Sequence, residues 1–158
     1  MFKTLIIYDS IFGNTEKIAR AIGGSLGSQA EVGTLRVGDM QPEQLTGLEL
    51  LIVGSPTRGF RPTPAIAAFL KTIPANNLKG IRVAAFDTRL SVKDVSNILL
   101  NILARIFGYA AAPIAASLTK NGGVLALPPE GFFVKASEGP LKEGELERSA
   151  AWGKQIKM

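Results

Sequence analysis

The stretch YDSIFGNTEKIA, residues 8–19, joins the end of an apolar run to the start of an amphipathic pattern. Lys3 to Tyr8, KTLIIY, is apolar and β-branched without alternation, which predicts a central parallel strand covered on both faces. From Asn14 to Leu26 the apolar residues recur at helical spacing. Small or hydroxyl-bearing residues occupy the junction, and no lysine or arginine lies between Tyr8 and Lys17. The chain is therefore expected to pass from strand to helix through a short polar loop.

Such a loop can hold an anion without a cationic side chain. Backbone N–H groups at a helix N-terminus, the helix dipole and the hydroxyls of Ser10 and Thr15 would bind a phosphate, with Asn14 opening the helix and Gly13 permitting close approach. An ordinary capped helix after a strand has the same composition, so this junction alone leaves both interpretations open.

Composition narrows the kinds of chemistry available to the chain. The 158 residues, 46% of them hydrophobic, fit a single domain spanning residues 1–158. The absence of cysteine and histidine excludes thiol nucleophiles, Ser-His-Asp hydrolysis and typical zinc sites, so redox chemistry requires a bound organic cofactor. A net charge of +5 suggests acidic partners, but the basic residues are dispersed and do not predict nucleic-acid binding. The sequence start does not resemble a secretory signal, and a cytoplasmic location is expected.

The rest of the chain alternates strand and helix patterns. The further predicted strands are Val32–Val37, Leu50–Ser55, Ile81–Asp87 and a fifth within Val124–Val134 that is interrupted near Pro128 and Pro129. The further predicted helices are Pro64–Ile73 and about Glu143–Ile156. This alternation predicts a three-layer α/β fold with helices on both faces of a parallel sheet, and ligands bind such sheets beyond the carboxyl ends of the strands.

The longer stretch IIYDSIFGNTEKIARAI resembles the flavodoxin signature. The resemblance implies a doubly wound five-stranded parallel sheet of order 2-1-3-4-5, bound FMN and electron transfer. The GxGxxG pattern of nicotinamide-binding domains and the lysine-bearing P-loop are both absent. The residues of the first loop that the resemblance assigns to the cofactor are Ser10, Ile11, Phe12, Gly13, Asn14 and Thr15.

Two further loops are similar to flavin-contacting segments of that family. They are GSPTRGFRPTPA, which begins at Gly54, and FDTRLSV, which begins at Phe86. The second loop alone could be a Pro/Gly-rich connection, and the third a capped turn. The residues implied by the resemblance are Pro56, Thr57, Arg58, Gly59 and Phe60 in the second loop, and Asp87, Thr88 and Arg89 in the third.

The chain departs from the family in charge and in its aromatic residues. Flavodoxins are typically acidic, whereas this chain is basic, and the two aromatic residues that flank the flavin are not evident. Trp152 is expected in the core, and Tyr109 lies well past the third loop. Arg58, Arg61 and Arg89 fall in the two loops expected around the ring. They are predicted to make the flavin less strongly reducing by stabilising its anionic reduced form, unless they extend into water.

Asn97–Phe107 looks like an inserted segment. It is too short and too interrupted for a membrane span. Three interpretations stay open: an amphipathic core helix, an apolar flap over the flavin edge, or a patch for a partner.

The sequence leaves three functions open. The first is an FMN-dependent electron carrier that docks on redox partner proteins with acidic surfaces. The second is a small oxidoreductase taking hydride from NAD(P)H, with Arg58 or Arg61 holding the nucleotide phosphate and a quinone as acceptor. The third is a flavin-free binding module. In none of them is a protein side chain assigned a catalytic or metal-binding role, and Glu143, Glu145 and Glu147 are expected to serve the last helix.

Overall fold

The computed structural model describes residues 2–28, 31–91 and 98–157. The strands are β1 (Thr4–Tyr8), β2 (Val32–Arg36), β3 (Leu50–Pro56), β4 (Arg82–Leu90), β5 (Val124–Leu125) and β6 (Glu130–Val134). The α-helices are α1 (Asn14–Leu26), α2 (Pro64–Thr72), α3 (Ile98–Phe107), α4 (Ala111–Lys120) and α5 (Glu145–Lys157). A short 3₁₀ turn at Pro42–Leu45 lies between β2 and β3.

The sheet is parallel and has the order β2-β1-β3-β4-β5, as predicted. The predicted fifth strand is split in two: β5 pairs with the start of β4, and β6 pairs with the stretch from Phe86 to Leu90. Pro128 and Pro129 lie between the halves, because proline has no N–H to donate to the ladder. The predicted interruption is therefore confirmed.

Successive side chains of the central strands enter two different cores. On β1, Leu5 and Ile7 pack with α2 and α4, whereas Ile6 and Tyr8 pack with α1 and α5. All four are buried, which explains why the strand is apolar without alternation. The helices on both faces complete the predicted three layers.

Trp152 lies in the core on the α1 and α5 side, as expected. Its indole packs edge-on against Phe86 and Phe132, with ring centroids 6.3 and 6.1 Å away. Gly54 of β3 makes room for this cluster, since a Cβ there would lie 2.0 Å from the Phe86 ring. The tryptophan is thus structural.

Neither core includes any side chain of helix α3 whose burial the structure describes. Ile98, Leu99 and Ile102 have 75%, 63% and 47% of their surface exposed, so the interpretation of this segment as a core helix is wrong for these three residues. The physical reason is that α1, α5, α2 and α4 already cover the sheet. Asn97, the first residue of the predicted insertion, lies outside the described residues. Within the described ranges, no helix combines the length and hydropathy needed to cross a bilayer.

Candidate functional site

A cavity of about 290 Å³ opens at the carboxyl edge of the sheet. It lies where loop 1 (residues 9–13, after β1), loop 2 (residues 57–63, after β3) and the end of β4 converge. The residues predicted from sequence that line it are Ser10, Ile11, Phe12, Asn14, Thr15, Pro56, Thr57, Arg58, Gly59, Phe60, Thr88 and Arg89. Gly13, Asp87 and Arg61 are not among its lining residues. Residues that the sequence did not point to complete the lining: Leu90, Ala104, Tyr109, Val134 and Ser137.

Loop 1 is shaped by Ser10, whose side chain folds back toward the helix. The Oγ of Ser10 accepts hydrogen bonds from the N–H of Gly13 at 3.1 Å and of Glu16 at 3.4 Å. Gly13 adopts the left-handed conformation at φ 92°, which costs a glycine least. Because a hydroxyl has two lone pairs and one hydrogen, the Ser10 hydrogen remains available to a ligand.

Thr15 links loop 1 to the end of β4. Its hydroxyl oxygen lies 2.8 Å from that of Thr88, and both residues are buried. Their mutual hydrogen bond uses one of the two hydroxyl hydrogens and leaves the other. The N–H groups of Asn14 and Thr15 fall in the first turn of α1, where no helical carbonyl precedes them. The cavity therefore has one end made of neutral donors at the positive end of a helix dipole.

Arg36, at the end of β2, supports loop 1 from behind. No motif in the sequence indicates this role. Its Nη1 donates to the carbonyl oxygen of Ser10 at 2.8 Å and to Oδ1 of Asp9 at 3.3 Å. Its Nη2 lies 3.6 Å from Oε1 of Glu16. One guanidinium therefore holds the loop and the first turn of the helix together.

The segment after β6 forms an additional wall. The Nδ2 of Asn14 donates to the carbonyl oxygen of Glu138 at 3.2 Å. Gly139 packs so closely on Asn14 that a Cβ there would lie 2.6 Å from the amide nitrogen. This contact brings Val134 and Ser137 to the cavity, although more than 120 residues separate them from loop 1 in the sequence.

Loop 2 contains a tight two-residue reversal. Arg58 and Arg61 exchange backbone hydrogen bonds of 2.8 and 3.0 Å, while Gly59 and Phe60 between them have φ of 54° and 67°. The Arg58 guanidinium lies 5.8 Å from the Phe12 ring centroid, so it spans from loop 2 toward loop 1. Arg61 extends outward and is exposed. Of these two arginines, Arg58 is the one at the cavity.

Asp87 is placed differently from the expected cofactor contact. It is fully buried, and its carboxylate accepts two 2.7 Å hydrogen bonds from Arg89 and one of 2.9 Å from the Ala111 N–H. Burial raises the pKa of Asp87, while the Arg89 guanidinium and the Ala111 N–H act in the opposite direction. Asp87 therefore orients Arg89 and the start of α4 from beneath the cavity.

Tyr109 lines the cavity although it follows an inserted helix. The Arg89 guanidinium carbon lies 3.8 Å from the centroid of its ring, a close cation–π contact. Burial raises the pKa of Tyr109, and the nearby Asp87 adds to this rise while Arg89 opposes it. Gly131 of β6 leaves space for the arginine, because a Cβ there would lie 2.0 Å from Nε of Arg89. Tyr109 lies so far past the third loop in the sequence that no local pattern linked it to the site.

No group of three or more carboxylates that could hold a metal ion occurs among residues 2–28, 31–91 and 98–157. The polar groups of the cavity are hydroxyls, amides and arginines. The chemistry that this donor set suits is binding of an anion together with a flat apolar group.

Comparison with known proteins gives a consistent family. A model described as the flavodoxin domain matches residues 5–116. A flavodoxin from Clostridium saccharobutylicum is 27% identical over 157 residues, which cover 98% of this chain and 94% of that protein. An archaeal flavodoxin structure has a TM-score of 0.77 at 22% identity, covering 99% of this chain and 96% of that one. The oxidised flavodoxin 2 of Bacillus cereus has a TM-score of 0.75 at 23% identity, covering 98% and 97%.

Proposed function

This chain belongs to the flavodoxin family, as an FMN-binding electron-transfer protein, and we propose that FMN binds in the cavity at the carboxyl edge with its phosphate on loop 1. The observation that carries the proposal is the convergence of three loops, distant in sequence, around one cavity with hydroxyl and amide donors at one end. FMN supplies the redox chemistry, since its ring accepts and releases one or two electrons.

The donors of loop 1 suit a phosphate monoester. The hydroxyl of Ser10, one of the hydroxyls of the Thr15–Thr88 pair and the free N–H groups of the first turn of α1 can each donate a hydrogen bond to it. Arg36 would keep the Ser10 backbone in place from the far side of the loop. A dianion held in this way needs no lysine, which accounts for the composition of the junction.

The remaining lining suits a flat aromatic ring. Pro56, Phe12, Tyr109 and Val134 offer apolar surface, and Phe60 lies on loop 2 beside them. The volume of about 290 Å³ is at the lower end for ligand pockets, and the cavity is open to solvent. We infer that these residues cover the ring while leaving an edge accessible for electron exchange.

Charge favours acidic redox partners. The chain carries +5 overall, and Arg58 and Arg61 are exposed on loop 2 beside the cavity. A negatively charged partner surface would be steered toward this side, and increasing salt would slow its association. A cytoplasmic location, with electron donors and acceptors of that compartment, agrees with this role.

A reductase that uses NAD(P)H directly is a second candidate function. Arg58 favours it, because its guanidinium lies at the cavity and could bind a nucleotide phosphate. Steady-state consumption of NAD(P)H with a quinone acceptor, lost in Arg58→Gln and retained in Arg61→Gln, would support this activity. Exchange of electrons with protein donors only would support the carrier.

Thr15→Val tests the placement of the phosphate. The variant removes a hydroxyl donor without changing side-chain shape much, so FMN affinity should fall by about tenfold, which corresponds to about 1.4 kcal/mol. Flavin fluorescence during titration of apoprotein measures this, and the exposed Thr46→Val serves as control. Unchanged FMN affinity in Thr15→Val would contradict the assignment of loop 1.

A further inference from the structure

Two elements that line the cavity, loop 1 and helix α3, also carry exposed aliphatic and aromatic side chains. Ile11 and Phe12 of loop 1 line the cavity and keep 51% and 46% of their surface exposed. Helix α3 contributes Ala104 to the lining and carries Ile98, Leu99 and Ile102 outward. We call these five exposed residues, Ile11, Phe12, Ile98, Leu99 and Ile102, the mouth patch.

Helix α3 exposes apolar side chains that a helix packed on a core would bury. Ile98, Ile102 and Arg105 follow one another at spacings of four and three, so they share one helical face, and that face is exposed. Asn101, at the edge of this face, is half-buried. A helix that turns isoleucines outward gains stability when another apolar phase covers them.

Positive charge accompanies the mouth patch. Arg58, Arg61 and Arg105 are exposed, and no carboxylate of the described ranges lies within salt-bridge distance of them. Two copies of this chain would bring like charges together, which disfavours self-association through this face. The charge therefore selects a negatively charged occupant.

We propose that the mouth patch and these three arginines dock the protein on the surface of an anionic lipid bilayer. Three of the five patch residues are isoleucine, a fourth is leucine, and they protrude from the surface. Protein interface cores are enriched in aromatic residues, Met and Arg, whereas four of these five patch residues are aliphatic and Phe12 alone is aromatic. Short apolar segments flanked by arginine insert at the headgroup boundary and are strengthened by anionic lipid. A bilayer therefore fits both the apolar and the basic part of this face, and the docking does not depend on bound flavin.

Co-sedimentation with large unilamellar vesicles tests this docking. The full chain, with and without FMN, is mixed with phosphatidylcholine vesicles that contain or lack phosphatidylglycerol. We expect binding to the vesicles with phosphatidylglycerol and much less to phosphatidylcholine alone. In Ile98→Ser/Ile102→Ser binding should fall by about tenfold or more, because two inserted side chains are lost. Wild-type protein that stays in the supernatant with anionic vesicles would overturn the proposal.

Matched variants separate docking from general adsorption of a basic protein. Val124→Ser removes an equally exposed aliphatic residue from β5, which pairs with the opposite end of β4, and should bind as wild type does. Arg105→Gln should weaken binding more than Lys154→Gln on α5. If vesicle binding falls equally in the patch variants and in their controls, the protein only adsorbs through its general charge and the proposal is overturned. Vesicle binding that is undiminished in Ile98→Ser/Ile102→Ser would overturn it as well.

A tryptophan probe keeps the test decisive if the double variant folds poorly. Ile98→Trp places an indole on the exposed face of α3, whereas the native Trp152 is buried in the core. Its emission should shift to shorter wavelength with anionic vesicles and be quenched by brominated lipid. Emission that is unmoved by vesicles would also overturn the proposal.

Discussion

Ser10 and Arg36 show how a binding loop depends on a residue that does not line it. The guanidinium of Arg36 holds the Ser10 carbonyl at 2.8 Å while the Ser10 side chain organises two amides of the helix start. The same guanidinium reaches Asp9 and Glu16. The position of the Ser10 donor is therefore set partly from β2.

Arg36→Gln should weaken FMN binding by about three- to tenfold, because the loop backbone loses a charge-assisted hydrogen bond. Riboflavin, which lacks the phosphate, should bind the variant as it binds wild type, and Arg36→Lys should recover part of the FMN affinity. The control is Arg20→Gln, which removes an exposed arginine that pairs with Glu16 on the same helix. Parallel losses for FMN and riboflavin would mean that Arg36 acts on the whole site and not on the phosphate.

Arg58 is the arginine expected to adjust the flavin potential. Arg89 is neutralised by Asp87, and Arg61 does not line the cavity, so the effect predicted for three arginines reduces to one. Arg58→Gln should lower the potential of the one-electron step that forms the anionic reduced flavin by roughly 20–40 mV, the equivalent of about 0.5–1 kcal/mol for a partly solvated charge. A redox titration of Arg58→Gln beside Arg61→Gln measures this. Equal potentials in wild type and both variants would contradict an effect of the Arg58 charge on the flavin.

Two residues mark the limit of sequence reasoning at this scale. Asp87 ends the predicted strand and was expected at the cofactor, but the sequence does not reveal that Arg89, two positions later, pairs with its carboxylate. Tyr109 was set aside because of its distance along the chain, yet α3 returns the chain to the cavity. Local sequence patterns identify the loops. Which side chains pair, and which distant segments reach the cavity, depends on the tertiary fold.

At the scale of elements, periodicity predicted most of the regular structure. Helix α1 has the predicted bounds of Asn14 and Leu26, because a strong apolar stripe and a left-handed glycine define it locally. The division of the fifth strand followed from two prolines. The exposure of apolar residues on α3 could not be predicted, because an apolar pattern does not show whether other helices already cover the sheet.

The contact between α5 and β6 rests on Glu145. Its carboxylate accepts hydrogen bonds from Arg148 at 2.7 and 2.9 Å and from the Phe133 N–H at 2.7 Å. Burial acts to raise the pKa of Glu145, but these hydrogen bonds outweigh it and the pKa is lowered in the folded protein. The glutamates expected to serve the last helix thus include one that also fixes the neighbouring strand.

Glu145→Gln should cost about 1–2 kcal/mol at neutral pH, since a charge-assisted pair becomes neutral. Because the folded-state pKa is lowered, the carboxylate stabilises the fold fully above its unfolded pKa of about 4.3 and loses this effect as pH falls through the folded value. Thermal unfolding at several pH values should show the gap between wild type and variant closing in acid. The exposed Glu147→Gln is the control, and a gap independent of pH would contradict the role given to the charge.

For the whole molecule, the fold and the surface carry different information. The sheet order and the three layers agree with the flavodoxin family, and they bring the three loops to one edge. The charge of +5 and the mouth patch are properties of this chain, and they point to acidic partners and an anionic surface. The fold accounts for cofactor binding, and both proposals about what the protein docks on rest on its surface.

Calorimetric titration of flavin-free protein with FMN and then with riboflavin tests directly whether loop 1 holds the FMN phosphate. If loop 1 binds the phosphate and the other loops cover the ring, FMN should bind at one molecule per chain and at least about a hundredfold more tightly than riboflavin, a difference of about 2.7 kcal/mol. Equal affinity for the two flavins would contradict phosphate binding by loop 1, and no heat with FMN would contradict FMN binding by this chain.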